Sequence, residues 1–285
     1  MTERGTVVDY LAVAGAQPAV AGCAANDATN RGGSGVALRD LRKSYGARQV
    51  LAGVSFSVAA GEFVALLGSS GAGKTTLLRC IAGLAAADGG DVRIDGRVAA
   101  TLRGRERRSV AMVFQQFSLI ERVSALDNVL AGRLGHVPRW RGWARRFSRA
   151  DRLLALECLE RVGLLDAYAQ RADTLSGGQQ QRVAIARALA QQARVILADE
   201  PVASLDPSTG AGVLELLRGI CRERGVAVLC SLHQPELARS HADRLIGLRG
   251  GVVVCDLPAG VSLDAVLPAI YGDARVGAAA DQVGR

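Results

Sequence analysis

Gly68-Ser69-Ser70-Gly71-Ala72-Gly73-Lys74-Thr75-Thr76 is the stretch on which the reading turns, with the apolar run Phe63 to Leu67 before it and a helix-like segment through Leu84 after it. The spacing Gly-x4-Gly-Lys-Thr, between a strand pattern and a helix pattern, is that of a loop built to cradle phosphate. Small residues let backbone N–H groups approach phosphate oxygens, and the positive end of the next helix faces the same charge. Lys74 is expected to bridge the β and γ phosphates as a point charge, and the Thr75 hydroxyl to ligate Mg²⁺. By itself the loop implies only a nucleoside triphosphate.

Working outward, Val195-Ile196-Leu197-Ala198 is a buried-strand run ending in Asp199-Glu200. Two acids after four apolar residues set a metal-holding carboxylate, Asp199, opposite the loop, and a second, Glu200, just past the strand end. There Glu200 can accept a proton from the attacking water. Further β-type runs lie at Val50 to Val58, Val110 to Phe114, Val226 to Cys230, Leu245 to Leu248 and Val252 to Val254, with a helical stretch at Gly210 to Arg224. Alternating strands and helices imply a mostly parallel sheet. Between Phe114 and Leu175 the character is helical, with capping-box-like starts at Ser124-x-x-Asp127 and Ser148-x-x-Asp151 and a stop at Gly163. This reads as an inserted helical unit of about residues 115–185 in a domain of residues 35–256. Residues 1–34 read as a mobile tail and residues 257–285 as a short C-terminal tail.

Composition bounds the alternatives. The 285 residues suffice for one sizeable α/β domain, and 49% apolar content argues against global disorder. The formal charge of +8 comes mainly from arginines at Arg103 to Arg108 and Arg139 to Arg149. Apart from Trp140 and Trp143, no aromatics suited to base stacking are interleaved with them, so no nucleic-acid partner is expected. Six cysteines without CxxC or His-rich spacing suit free thiols in a reducing compartment better than zinc. No run is long and apolar enough to span a bilayer. Val20-Ala21-Gly22-Cys23 faintly resembles a lipoprotein cleavage box, but Asp9, Gln17 and Pro18 break the apolar region before it.

Leu175-Ser176-Gly177-Gly178-Gln179 resembles the signature motif of the ABC ATPases, and the match extends over about Val36 to Asp256. The resemblance implies an α/β fold: a P-loop NTPase (RecA-like core) with an antiparallel β-subdomain and an inserted helical subdomain. It implies a homodimer in which Ser176, Gly177, Gly178 and Gln179 of one copy bind, in trans, the ATP held by Gly68 to Thr76 of the other. Gln115 resembles the Q-loop residue that senses Mg²⁺ and the attacking water, and His233 the switch histidine on the γ-phosphate. Ser204, Leu205 and Asp206 resemble the D-loop at the dimer seam, and Tyr45 the aromatic that stacks on adenine. On this likeness Glu200, His233 and Gln115 are the catalytic set, and Thr75, Gln115 and Asp199 hold Mg²⁺, partly through water. His136 and His241 match no family position and read as ordinary surface or core residues.

The stretches Val113 to Ile120, Asn128 to His136 and Pro138 to Arg141, with Pro201 to Pro207, are similar to the ATPases of phosphonate importers. That likeness implies a peripheral subunit on the cytoplasmic face of the inner membrane, working with two integral membrane permease subunits and an external solute-binding protein. An ATPase of an importer for amino acids or another small solute stays open beside it. So does a soluble ABC ATPase acting on nucleic acid or ribosomes, although paired cassettes and long coiled-coil insertions are missing. Intact Glu200 and His233 disfavour a non-catalytic binding module.

Overall fold

The computed structural model describes residues 35–101, 104–138, 140, 142, 144, 146–262 and 266–272. The tail of residues 1–34, Cys23, Trp143 and the arginines at 103, 139, 141 and 145 lie outside them.

The central sheet has six strands in the order β10-β9-β3-β8-β7-β6. They are β3 (Phe63–Leu67), β6 (Val110–Val113), β7 (Val195–Asp199), β8 (Ala227–Leu232), β9 (Arg244–Arg249) and β10 (Val252–Pro258). The first five are parallel, and apart from Ser231 their interior residues are apolar on both faces, as a sheet covered on both sides requires. The expectation of a mostly parallel sheet is met with one departure. β10 pairs antiparallel with β9 through a turn at Gly250 and Gly251, whose positive φ angles of 57° and 81° close the hairpin.

Alternation along each strand sorts side chains between two cores. Phe63, Ala65 and Leu67 join Ile196, Ala198, Val228 and Cys230 on one face, against α4 (Gly177–Ala190), α5 (Pro207–Arg224) and the helical unit. Val64 and Leu66 join Val195, Leu197, Ala227 and Leu229 on the other, against α1 (Lys74–Ile81) and the second sheet. That second sheet is antiparallel in the order β2-β1-β4-β5, from β1 (Val36–Tyr45), β2 (Arg48–Val58), β4 (Gly89–Ile94) and β5 (Arg97–Val98). Each fully buried Leu, Val or Phe of these cores contributes about 1.5–3 kcal/mol.

The helical unit comprises α2 (Ala125–Ala131), α3 (Arg149–Arg161) and α4, packed on one another. Ser124 and Ser148 cap α2 and α3, and Ser148 with Asp151 forms a full capping box. Gly163, at φ 70°, ends the turn after α3. A half-buried ion pair ties the unit together: Arg133 donates to Asp151 (2.9 Å), the Ala190 carbonyl (3.0 Å) and Gln192 (2.8 Å). Two short helices, α6 (Pro235–His241) and α7 (Leu267–Tyr271), complete the fold, and Ile270 of α7 is buried against the sheet.

Several boundaries differ from the sequence reading. α1 stops at Ile81 rather than Leu84, because Gly83 turns left-handed (φ 69°). β6 ends at Val113, one residue before Phe114, where the chain leaves the sheet for the helical unit. α5 starts at Pro207 rather than Gly210, because Asp206 caps it. His136 and His241 are hydrogen-bonded to backbone carbonyls, of Gln191 across the fold and of Leu237 one turn away (3.0 Å each). The cysteines Cys80, Cys158, Cys221, Cys230 and Cys255 are free thiols. Among the described residues, no helix is long and apolar enough to cross a membrane.

Candidate nucleotide site

The carboxyl ends of β3, β7 and β8 converge on one point, which is where open α/β sheets leave a crevice. β3 runs directly into Gly68 to Gly73. Gly73 holds a φ of 106°, and a side chain there would stand 2.9 Å from the Val50 carbonyl, so β2 backs the loop closely and only glycine fits. Lys74 is 4% exposed and curls into the loop, donating to the carbonyls of Gly68 (2.7 Å) and Ser69 (3.2 Å). Burial lowers the pKa of its ammonium, and the Glu200 and Asp199 carboxylates oppose that shift.

Thr75 Oγ1 donates to Asp199 Oδ1 across 3.2 Å, joining the loop to the end of β7. The same carboxylate oxygen accepts from the Ser231 hydroxyl (3.0 Å), and Ser231 Oγ accepts from the Glu200 N–H (2.9 Å). Glu200 follows in left-handed backbone, φ 49°, which a non-glycine residue adopts only when its surroundings hold it there. Its carboxylate is hydrogen-bonded to the His233 ring at Nε2. Lys74, Thr75, Asp199, Glu200 and His233, separated by up to 159 positions in the chain, thus form one polar cluster under the loop.

Tyr45 is 52% exposed at the end of β1, paired with Arg48 in the turn of the β1–β2 hairpin. Arg48 reaches toward Gly71, so the hairpin stands beside the phosphate loop. The Lys43 ammonium sits 5.2 Å from the centroid of the Tyr45 ring and is held by Asp88 (2.8 Å). Asp88 also accepts from the Ser44 N–H (2.6 Å). Gln115 is exposed just beyond β6, ahead of Phe117 and Ser118, both left-handed (φ 50° and 49°).

The signature residues are not part of this cluster. Ser176 caps α4 by accepting from the Gln179 N–H (3.3 Å), while the Gln179 side chain accepts from the Ser176 N–H (2.9 Å). Among the described residues, no hydrogen bond joins Ser176 to Gln179 with Gly68 to Thr76. Gly177 instead faces Leu205 and Phe117, and a side chain on Gly178 would meet Thr209 at 2.5 Å. Ser204 and Asp206 are exposed beside them, Leu205 half-buried. Asp206 caps α5, accepting from Thr209 N–H (3.0 Å) and Ser208 Oγ (2.6 Å), and these bonds hold its carboxyl below the usual carboxylate range.

Two contributors were not singled out in the sequence. Ser231 is a hydroxyl in the middle of the fully buried strand Ala227 to Leu232, and that misplaced polarity is its signal. Arg187 interrupts the apolar run Val183 to Ala190; its guanidinium donates to the carbonyls of Ser118 (2.6 Å) and Phe117 (3.0 Å) and clamps that left-handed pair to α4. Burial pulls the Arg187 pKa below its ordinary value.

Residues 51–203 match the ABC transporter family model. The phosphonates import ATP-binding protein PhnC of Frankia casuarinae is 53% identical over 80% of this chain and 91% of its own length. The hypophosphite import ATP-binding protein HtxD of Stutzerimonas stutzeri is 51% identical over 77% of this chain, which spans 65% of that relative's length. Among solved structures, a dimeric ATP-binding cassette in a post-hydrolysis state, bound to ADP and Pi, superposes with a TM-score of 0.69. It is 36% identical and is matched over 80% of this chain and 100% of its own.

Proposed function

This chain belongs to the ABC transporter ATPase family, and on that premise we propose that it hydrolyses ATP to power import of a phosphonate or related phosphorus oxyanion. The observation that carries the reading of the site is the network beneath the phosphate loop, in which Thr75, Asp199, Ser231, Glu200 and His233 are bonded in series and Lys74 is buried against the loop's carbonyls. The solute class rests on the likeness to importers named for phosphonates and hypophosphite. This subunit's own site handles only nucleotide, so the solute is chosen by its partners.

In this reading the amides of Gly68 to Gly73, Lys74 and Thr76 hold the β and γ phosphates, and Tyr45 stacks on the adenine. Thr75 and Asp199 present hard oxygen donors 3.2 Å apart, a set that suits Mg²⁺, and Gln115 would join them in holding it, partly through water. Bound there, the cation neutralises developing phosphoryl charge. Glu200 accepts a proton from water as its oxygen forms a bond to the γ-phosphorus. The bond from that phosphorus to the β–γ bridging oxygen breaks, and ADP leaves with the electron pair. His233 orients Glu200 and touches the transferring group.

Ser176, Gly177, Gly178 and Gln179 would supply the missing donors from a second copy of this chain, with Ser204, Leu205 and Asp206 at the seam. Losing one such donor costs ~3 kcal/mol in barrier. Two permease subunits and an external binding protein complete the importer, with this chain peripheral on the cytoplasmic face of the inner membrane. The family domain then covers residues 35–256, with residues 115–185 as the unit that meets the permease.

Co-purification with the permease subunits, followed by ATPase assays in proteoliposomes, tests the proposal. A binding protein loaded with phosphonate is expected to stimulate turnover. Stimulation by an amino-acid-loaded binding protein, or by DNA without membrane subunits, overturns the assignment.

A further inference from the structure

Among the described residues, Ser231 is the one whose hydroxyl bonds both the Asp199 carboxylate and the Glu200 N–H. The parallel register pairs it with Asp199 on one side and Leu66 on the other, so it lies on the central strand of the sheet. Alternation along β8 turns it to the same face as Ala227 and Leu229, the face of α1 and the phosphate loop. It is fully buried, and its hydroxyl is used in both directions: it donates to Asp199 Oδ1 and accepts from the Glu200 N–H.

Each bond does a job that nothing else near it does. Thr75 also donates to Asp199, but its hydroxyl is the group expected to turn toward a metal, so Ser231 is the partner that keeps the carboxylate oriented when it does. The Glu200 N–H would otherwise be a buried donor at the start of a left-handed residue, and bonding it to a side chain fixed in the sheet sets where the Glu200 carboxylate begins. We infer that Ser231 is a positioning residue for hydrolysis, setting the geometry of Asp199 toward the metal and of Glu200 toward water. This rests on the roles proposed above for those two acids.

Ser231→Ala removes both bonds. Ser231→Cys keeps the shape of the side chain but offers only a weak donor and acceptor. Ser231→Thr keeps the hydroxyl. On the purified full-length protein, with melting temperature as the folding control, Ser231→Ala and Ser231→Cys are expected to lower kcat on the order of 10–100-fold, the scale of a small misplacement of reacting groups. KM for ATP should stay within about twofold, since the phosphate loop is untouched. The Mg²⁺ concentration giving half-maximal binding of a fluorescent ATP analogue should rise, a binding readout independent of turnover. Ser231→Thr, where it folds, should retain kcat.

Ser231→Cys with wild-type kcat and an unshifted Mg²⁺ dependence overturns the inference, even if its melting temperature falls, because the role is then packing alone. Glu200→Gln is measured alongside. Residual full turnover in that variant overturns the role of Glu200 itself, a failure distinct from that of Ser231.

Discussion

The phosphate loop and the head of α4, the two regions proposed to meet ATP, are built in opposite ways. Under the phosphate loop, groups on α1 and at the carboxyl ends of β7 and β8 bond to one another across the chain, from Thr75 through Asp199 and Ser231 to Glu200 and His233, while Lys74 bonds to the loop's own carbonyls. At the head of α4, the side chains of Ser176 and Gln179 each bond the other's backbone, and the Asp206 side chain bonds the start of its own helix. The first region holds its groups in place by long-range bonds. The second is finished locally and turned outward, so it acts only on something brought to it. The contrast is what the proposed reading needs: a phosphate cradle and a separate donor surface on one chain, which a second copy would bring together.

The contrast can be broken most severely at Glu200. Glu200→Gln keeps the cradle and should leave ATP binding intact while turnover falls by about 10²–10⁴-fold, the usual contribution of a general base; sedimentation with ATP should then show an accumulated dimer. Next comes the donor surface, where Ser176→Trp should abolish most hydrolysis. Losing the cap costs α4 about 1 kcal/mol, so a nearly unchanged melting temperature beside lost turnover identifies a defect of the surface rather than of the fold.

A third effect probes the bridge between the regions. Arg187→Met frees the Phe117 and Ser118 carbonyls from α4 and should lower stability by about 1.5–3 kcal/mol, seen as a drop in melting temperature of roughly 2–4 °C per kcal/mol. In proteoliposomes it should also reduce solute uptake per ATP hydrolysed. The smallest effect belongs to Tyr45→Ala. Stacking worth about 0.5–1.5 kcal/mol corresponds to a KM for ATP raised roughly 2–10-fold, with kcat unchanged in a coupled ATPase assay.

The cradle was legible in the sequence because its parts are local patterns: an apolar strand, small residues at fixed spacing, and Lys74-Thr75; or Val195 to Ala198 followed by two acids. Caps read equally well, since Ser124 and Ser148 each act within three residues of themselves. What escaped was non-local. The partners of Ser231 lie 31 and 32 positions away, and those of Arg187 lie 69 and 70 away, so only the folded sheet and helix bring them together. The signature likeness puts Asp206 at a dimer seam; what the fold shows is a helix cap, since its short side chain bonds the backbone three residues on. The end of α1 was set by a single left-handed glycine, which apolar periodicity does not reveal.

The most direct test of the shared site is the specific ATPase activity of the purified protein measured against its concentration, with sedimentation recording its association state. If two copies complete each site, activity per molecule rises with concentration as dimers form with ATP, and Ser176→Trp removes that rise. Full activity in a strict monomer, independent of concentration and untouched by Ser176→Trp, would contradict the account.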